Sequence, residues 1–458
     1  MSPSEKTNRY TEISQKYGDP WIWGIYIMLL VISIIESYSA SSREIVAQGI
    51  YMPIIKQCFF LALGAGCIFL ILRYEYNSTV FLYSAIPGFA VITVICLLYV
   101  MFFGEDINGA RRAMTVIPGF TIQPAEMAKL SIVTILSYIL AKSQKNQDIS
   151  TGGLVASAVA VAIYGGLMIR SGLTNTLLLV AISGSMLLIG GARFKKIGIL
   201  MGFFVVLMGF FFIIKSHNDK KDEVFNDTQR ELQATTVTTT ADGAVVEMPL
   251  PASSGEKASV GRSGTWRSRL KEWWHSDSLV YRPITAKNQQ EMFSRMAQAH
   301  GRLVGVGIGQ SRECSRLPLA FSDYIYSIIV EELGMVGGVF VLLLYLSLLG
   351  RAAMIVRRSK RVLPSLLVIG MASFITFQAL FHMAINVGVF PVSGQPLPLI
   401  SKGGTSILMI SAAFGVMLSV SRTIANYGNK KNKVEDTPII VGLDAENPTE
   451  IPPKNVWK

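Results

Sequence analysis

Three polar stretches interrupt an otherwise apolar chain, and each carries side chains able to handle protons or phosphate. They read NGARRAMTVIPGFTIQPAEMAKL over residues 108–130, RLPLAFSDYIYSIIVEELGMVGG over 316–338 and NVGVFPVSGQPLPLISKGGTS over 386–406. In the first, Gln123, Glu126 and Lys129 are spaced by three and share one face of a helix. Charges inside a membrane are costly and normally face a partner or a wet cavity. Two readings follow: a Glu126–Lys129 pair that ties the bundle together, or a polar cavity wall with Arg112 above it as an anion clamp. In the second, Asp323 stands between Phe321 and Tyr324 where an apolar span begins. A carboxylate half out of water beside aromatic walls suits a general base; the alternative is an aspartate that caps the helix. Glu331 and Glu332 lie two turns deeper, and one of them is expected to pair inside the bundle. In the third, the prolines around Gln395 and the Gly403–Gly404 pair describe irregular backbone. Such backbone survives at membrane depth only when buried in protein or lining a cavity, and a simple hairpin outside the membrane is the alternative. Lys402 adds a cation there.

These residues need a frame that is itself embedded in a membrane. Hydrophobic residues make up 51% of the 458 and charged ones only 16%, with a mean hydropathy of +0.44. Soluble domains carry about a quarter charged residues, so the chain reads as an integral membrane protein. Ten segments approach the roughly 20 apolar residues that spanning needs, near 20–40, 52–72, 79–103, 122–141, 153–169, 174–190, 196–215, 323–349, 362–387 and 403–421. The expected fold is an all-α polytopic membrane protein with about ten transmembrane helices and one long extracytoplasmic loop between the seventh and eighth. No cleavable signal is read before the first span.

The net charge of +12 reports orientation. Lys142 and Lys145, the run from Arg193 to Lys196, and the run from Arg351 to Arg361 all occupy even-numbered short loops. Loops rich in Lys and Arg stay on the cytoplasmic side, so both termini are expected there and all three polar stretches on the outer side. A basic patch for nucleic acid is excluded by that placement.

Segments 1–19 and 422–458 are then cytoplasmic, 20–215 and 323–421 hold the helices, and 216–318 is extracytoplasmic. Within it, 218–263 is a Thr/Ser-rich flexible linker. From Thr265 onward, amphipathic helices lying along the surface and then a tight glycine turn are expected. Cys58, Cys67 and Cys96 fall inside spans as small packers, Cys314 stands alone, and the four histidines show no ligand spacing. No metal site is read.

Taken together, these stretches resemble the SEDS family (shape, elongation, division and sporulation), polytopic polymerases that build peptidoglycan from lipid II. The resemblance spans roughly residues 20–425 without the linker. It rests on SASS (39–42), NGAxR (108–112), QPAExxKL (123–130), GxGxS (307–311), DYIYxxxxEELGxxG (323–337) and PVSGxPLPLISxGGTS (391–406), in that order. The SASS and NGAxR stretches are most similar to the division branch, with the elongation branch close behind. The resemblance implies that Asp323 is the essential acid of the outer loop and Arg112 its basic clamp. Gln123, Glu126 and Lys129 become the polar face of the fourth helix. Gln290 is the one match to a YQ pair before the glycine turn, and Ser393 and Lys402 come with the last loop as substrate contacts. The chain departs from the pattern at Ala113 (tryptophan in the family), Leu319 (an acid), Lys402 (tyrosine) and His382 (asparagine). The family's QPDxGT reads SGLTNT at 171–176, without its acid, which leaves Glu126 as the expected partner of Lys129.

The function this implies is a processive glycosyltransferase of the outer leaflet, joining lipid II units during septal wall synthesis. Asp323 would take the proton of the acceptor 4-hydroxyl, with Arg112 and Lys129 against the departing pyrophosphate. No cofactor is demanded; a divalent ion, Mg or Mn, is compatible but has no recognisable ligand cluster. The implied partners are lipid II, a class B penicillin-binding transpeptidase and other division proteins. The same chemistry in elongation is one alternative. A flippase or transporter is another, but it needs a polar path through to the cytoplasmic side, and the polar residues crowd the outer half. A scaffold would have no use for Asp323.

Overall fold

The computed structural model describes residues 12–40, 51–73, 84–107, 110–117, 120–145, 148–169, 172–198, 288–317, 320–359, 361–391 and 393–430, with Gly202, Trp273 and Ile284 as isolated positions. Ten helices follow one another through these segments: α1 (Pro20–Ser39), α2 (Met52–Arg73), α3 (Ile86–Phe103), α4 (Pro124–Ser143), α5 (Thr151–Ile169), α6 (Leu173–Ile189), α7 (Gln289–Gly301), α8 (Ile325–Val356), α9 (Val362–Asn386) and α10 (Gly404–Lys430). Eight of them are long and apolar enough to cross a membrane, α6 is a shorter apolar helix, and α7 is amphipathic. The expected helical membrane fold is what the structure has. The span expected at 196–215 beyond Gly198, the 218–263 linker, the surface helices expected between Thr265 and residue 287, and the terminal segments 1–11 and 431–458 lie outside the described residues, three isolated positions apart.

Local sequence explains where the helices begin. Asp19 caps α1 by accepting a hydrogen bond from the Trp21 N–H at 2.9 Å, and Pro20 supplies a preset φ at the first helical position. Pro124 does the same for α4. The Asp19 carboxylate also binds the Arg351 guanidinium, with a closest contact of 2.6 Å, and its N–H donates to Ser421 Oγ at 2.9 Å. One residue therefore ties together α1, α8 and α10 at the end of the bundle away from Asp323.

The burial pattern is that of a membrane bundle. α9 is the most enclosed helix, followed by α4 and α10, whereas α2, α3 and α5 leave large apolar side chains such as Phe59, Phe69, Ile92 and Val155 uncovered. With lipid as the surrounding solvent, burying apolar surface no longer drives helices together, and polar contacts and close backbone approach take over. The buried Ser, Thr, Gln and charged side chains of α4, α9 and α10 fit that role.

Two small antiparallel sheets accompany the helices. β1 (Glu105–Ile107), β2 (Ala110–Ile117) and β3 (Phe120–Ile122) form a meander just before α4, and β4 (Gln144–Lys145) pairs with β5 (Asp148–Ile149) just after it. In the sequence both stretches are only the connections between apolar spans.

A break inside α8 shapes the Asp323 end. Gly334 adopts φ 72, ψ −176 within the helix, and the chain after α7 docks into the gap. Val306 N–H bonds to Glu331 O and Gly307 N–H to Glu332 O, while Met335 N–H bonds to Arg302 O, all at 3.0 Å. A Cβ at Gly305 (φ +89) would lie 2.1 Å from Glu332 O, so only glycine fits. The tight glycine turn expected from GxGxS is this clasp. Below it, Glu331 accepts from Ser311 Oγ at 2.5 Å and from Arg312 N–H at 3.1 Å, and Glu332 accepts from Ser39 Oγ. Both glutamates are engaged, where only one was expected to be.

Candidate active site

Asp323 sits in a turn over residues 320–324, half-buried, immediately before α8. The helix takes Tyr324, one residue after Asp323, as its N-cap residue. Asp323 Oδ1 accepts a hydrogen bond from Ser322 Oγ at 2.9 Å. The backbone of this turn is held from outside itself at three consecutive carbonyls. Phe321 O accepts from the Lys402 N–H at 3.1 Å, Ser322 O from Ser401 Oγ at 2.8 Å, and Asp323 O from Asn386 Nδ2 at 3.2 Å. The Lys402 ammonium lies 4.8 Å from the centre of the Phe321 ring, within cation–π range. A carboxylate and an ammonium thus stand on neighbouring segments at one mouth of the bundle.

The segment between α9 and α10 supplies two of those three donors, and it is not a simple hairpin. Leu397, Leu399, Ile400 and Ser401 are buried. Side chains of the bundle answer its carbonyls one by one. His382 Nδ1 bonds to Gln395 O at 2.6 Å, Gln378 Nε2 donates to Pro396 O at 3.2 Å, and Tyr345 Oη donates to Pro398 O at 2.6 Å. Irregular backbone among apolar helices needs such partners, because water is not there to supply them. Leu399 holds φ 63, a conformation that costs a non-glycine residue on the order of 1–3 kcal/mol and persists only where the surroundings enforce it.

One helical turn below this segment lies a closed polar ring. Lys129 Nζ contacts Glu126 Oε1 at 2.6 Å and donates to Gln378 Oε1 at 2.7 Å, while Gln378 Nε2 reaches Glu126 Oε2 at 3.5 Å. Ser406 Oγ donates to the same carboxylate oxygen at 3.4 Å. Lys129 has no exposed surface and Glu126 has 2%. The expected pairing of Lys129 with Glu126 is present, and the i,i+3 spacing made it readable. Lys129 is not a cation exposed toward a phosphate: its ammonium is consumed inside the bundle.

The other sequence-predicted residues separate into groups. Gln123 is exposed at the rim as the N-cap of α4, its N–H donating to Thr405 Oγ1 at 3.3 Å. Thr405 Oγ1 donates in turn to Thr121 O at 2.8 Å, joining β3 to the start of α10. Arg112 lies on β2 where the register slips: Glu105 faces Ala113 and Asp106 faces Arg111, so Arg112 is the extra residue of a β-bulge. Bulges re-aim a side chain and recur beside active sites. Gln290 is half-buried in the first turn of α7. Ser393 is buried, and its Oγ has no hydrogen-bond partner among the described residues. Among the described residues, no group of three or more His, Cys, Asp or Glu is arranged to hold a metal ion.

Sequence reasoning passed over Gln378, Asn386 and Ser401. All three bond to backbone or side chains brought from more than 60 residues away. The available signal was an amide or hydroxyl in an otherwise apolar stretch, which is costly in a membrane unless used.

Comparison with known proteins places this arrangement. A family model described as "Cell cycle protein", FTSW_RODA_SPOVE, matches residues 20–237 and 263–426. The chain is 25% identical over 424 residues to the probable peptidoglycan glycosyltransferase FtsW of Enterococcus hirae, covering 90% of this chain and 94% of that protein. It is 27% identical over 402 residues to the stage V sporulation protein E of Bacillus subtilis, covering 87% and 95%. Its fold is shared with a chain of a peptidoglycan synthase complex that coordinates polymerization and crosslinking, at a TM-score of 0.58 and 21% identity over 88% of this chain and 98% of that one. The rod shape determining protein RodA of Thermus thermophilus gives a TM-score of 0.55 and 19% identity, over 89% and 97%. With both matched blocks spanning the helices that build the site, the chain belongs to the FtsW/RodA/SpoVE family of cell cycle proteins.

Proposed function

We propose that this chain is a peptidoglycan glycosyltransferase that polymerises lipid II at the outer face of the cytoplasmic membrane, with Asp323 as its general base. The observation that carries the reading is the half-buried Asp323 carboxylate on a turn whose carbonyls are held at three successive residues and whose Phe321 ring carries the Lys402 ammonium. A base must be held within a fraction of an ångström of its proton's path, and this turn is built to be held. The name carried by the E. hirae relative agrees with the reading.

In the reaction, Asp323 accepts the proton of the acceptor sugar's hydroxyl as that oxygen attacks the anomeric carbon of the donor. The bond from that carbon to the pyrophosphate breaks, and the electron pair leaves with the pyrophosphate oxygen. Lys402 and Arg112 offset the developing negative charge. Gln123, Gln290 and Ser393 serve as substrate contacts in this reading. Glu126 and Lys129 act from within, as a neutral pair that keeps the wall of the mouth rigid. No step is routed through a metal ion.

Both termini face the cytoplasm in this reading, because the short loops rich in Lys and Arg fall on that side. The SASS and NGAxR stretches favour a septal role, with a class B penicillin-binding transpeptidase as partner. Depletion should then leave filaments; rounded cells would assign the chain to elongation instead.

The deciding variant is Asp323→Asn, purified with the transpeptidase partner and given lipid II. Asparagine keeps shape and polarity but cannot take the proton, and loss of a general base removes about 10²–10⁴-fold of rate. Near-wild-type polymerisation by a folded Asp323→Asn would refute the assignment of Asp323 as the base, whereas a wild-type protein that makes no glycan from lipid II would favour a transporter.

A further inference from the structure

We infer that Asn386, the last residue of α9, is a positioning residue that sets the place of Asp323. The inference rests on the reading of Asp323 as the base. Asn386 is 2% exposed, and every polar atom of its side chain is used. Nδ2 donates to Asp323 O at 3.2 Å and to His382 O at 2.9 Å. Oδ1 accepts from Ser327 Oγ at 2.8 Å and from the Ser327 N–H at 3.3 Å. One planar amide therefore holds the main chain of Asp323, the first turn of α8 and the end of α9 in a fixed relation.

The chemistry of the position selects asparagine. Two carbonyls and an N–H must be met at once, which requires donors and an acceptor on one short planar group. Aspartate offers acceptors only, and would face two carbonyl oxygens. Leucine or alanine would leave two buried donors at Ser327 and two carbonyls with a partner lost. The main chain of Asn386 extends the hub: its carbonyl accepts from Gln298 Nε2 at 2.7 Å and Ser294 Oγ at 3.1 Å, both on α7. Ser294 Oγ and Ser327 Oγ are themselves 2.7 Å apart. The helix that carries Gln290 is thus locked to the same point as the turn that carries Asp323.

Asp323 lies outside any helix, so regular backbone bonding does not place it. The bonds at Phe321 O, Ser322 O and Asp323 O do so instead, and of the three only the Asn386 bond falls on the residue that bears the carboxylate. Asn386 meets neither substrate nor proton in this account. It acts through Asp323.

The test is a cycle of variants in the full-length protein purified with its transpeptidase partner, with rates read from radiolabelled lipid II. Asn386→Ala and Asn386→Asp should each lower kcat about ten- to a hundred-fold, the range expected when a reacting group is displaced by a fraction of an ångström to an ångström, with KM for lipid II nearly unchanged. In the Asp323→Asn background, where no base remains to be positioned, adding Asn386→Ala should lower the residual rate less than two-fold. A loss there as large as in the native background would mean that Asn386 serves general folding, and would overturn the inference. So would full kcat in a folded Asn386→Ala or Asn386→Asp. If Asn386→Ala does not yield folded protein, Asn386→Asp, which keeps the shape and loses the donor to Asp323 O, carries the same cycle with the same criterion. The two readings fail differently: wild-type rate from Asp323→Asn alone sinks the base assignment and the positioning role with it. An inactive Asp323→Asn beside a fully active Asn386→Ala sinks only the positioning role.

Discussion

Replacing Glu126 by glutamine removes a charge and leaves the shape, which makes it the sharpest probe of the buried ring. Glu126 Oε1 and Lys129 Nζ are 2.6 Å apart, with side-chain exposures of 3% and 0%. At an effective dielectric of about 20, two unit charges at that distance attract by about 6 kcal/mol, before the cost of taking both out of water. That desolvation cancels most of the gain, so the intact pair contributes little net stability. The asymmetry appears when one partner is lost, because an uncompensated buried charge costs about 3–5 kcal/mol. In Glu126→Gln, Lys129 keeps its bond to Gln378 Oε1 at 2.7 Å and gains an amide oxygen, which places the expected loss near the lower end, about 3 kcal/mol. Glu126→Gln combined with Lys129→Met removes both charges and should recover most of that loss. Denaturation of each purified variant in mixed micelles, followed by tryptophan fluorescence, gives the comparison. Wild-type stability in Glu126→Gln, or a double variant no more stable than the single, would refute a closed ion pair at this site.

Further outcomes are expected elsewhere. Arg112→Ala should damage polymerisation more than Arg111→Ala, by on the order of 2 kcal/mol in kcat/KM, since Arg112 is the bulge residue while Arg111 pairs in register with Asp106; the reverse order in matched assays would show that the clamp was assigned to the wrong arginine. Gly305→Ala should destabilise by about 2–4 kcal/mol, because its Cβ meets Glu332 O and its φ is positive, whereas Gly309→Ala, with open space around it, should cost only about 1 kcal/mol of backbone strain. Equal melting of those two variants would contradict the clasp. In intact cells a cysteine at Ser253 should react with a membrane-impermeant reagent and one at Asn432 should not; the opposite pattern would invert the topology.

What could be read from the sequence, and what could not, follows from how far each interaction reaches along the chain. Helical spans are local: composition over about 20 residues decides them, and eight of the ten expected segments recur as long apolar helices, with a ninth shorter. The Glu126–Lys129 pair is local too, since i,i+3 spacing places both on one face. The glycine turn announced itself through residues that only make sense at positive φ. The rest of the site is assembled from distant pieces. Gln378 completes the Lys129 ring across 249 residues, and Asn386 reaches Asp323 across 63. Their partners are partly main-chain carbonyls, which every residue possesses and which therefore leave no mark in a sequence. The β-bulge at Arg112 is equally silent, because it depends on the register between two strands.

In a lipid environment this division has a physical reason. A water-soluble enzyme can leave a loop's carbonyls to solvent and hold its catalytic residue by packing beneath. At membrane depth each carbonyl of an irregular segment must find a donor within the protein. The donors that satisfy the segment between α9 and α10 come from His382, Gln378 and Tyr345, and the segment's own Ser401 and Lys402 then become donors to the Asp323 turn. Satisfying the backbone and positioning the carboxylate are one network. A substitution that leaves any of these carbonyls unmet should therefore disturb catalysis and stability together, and the variants that separate the two are those, like Asp323→Asn, that change a proton and leave every hydrogen bond of the backbone in place.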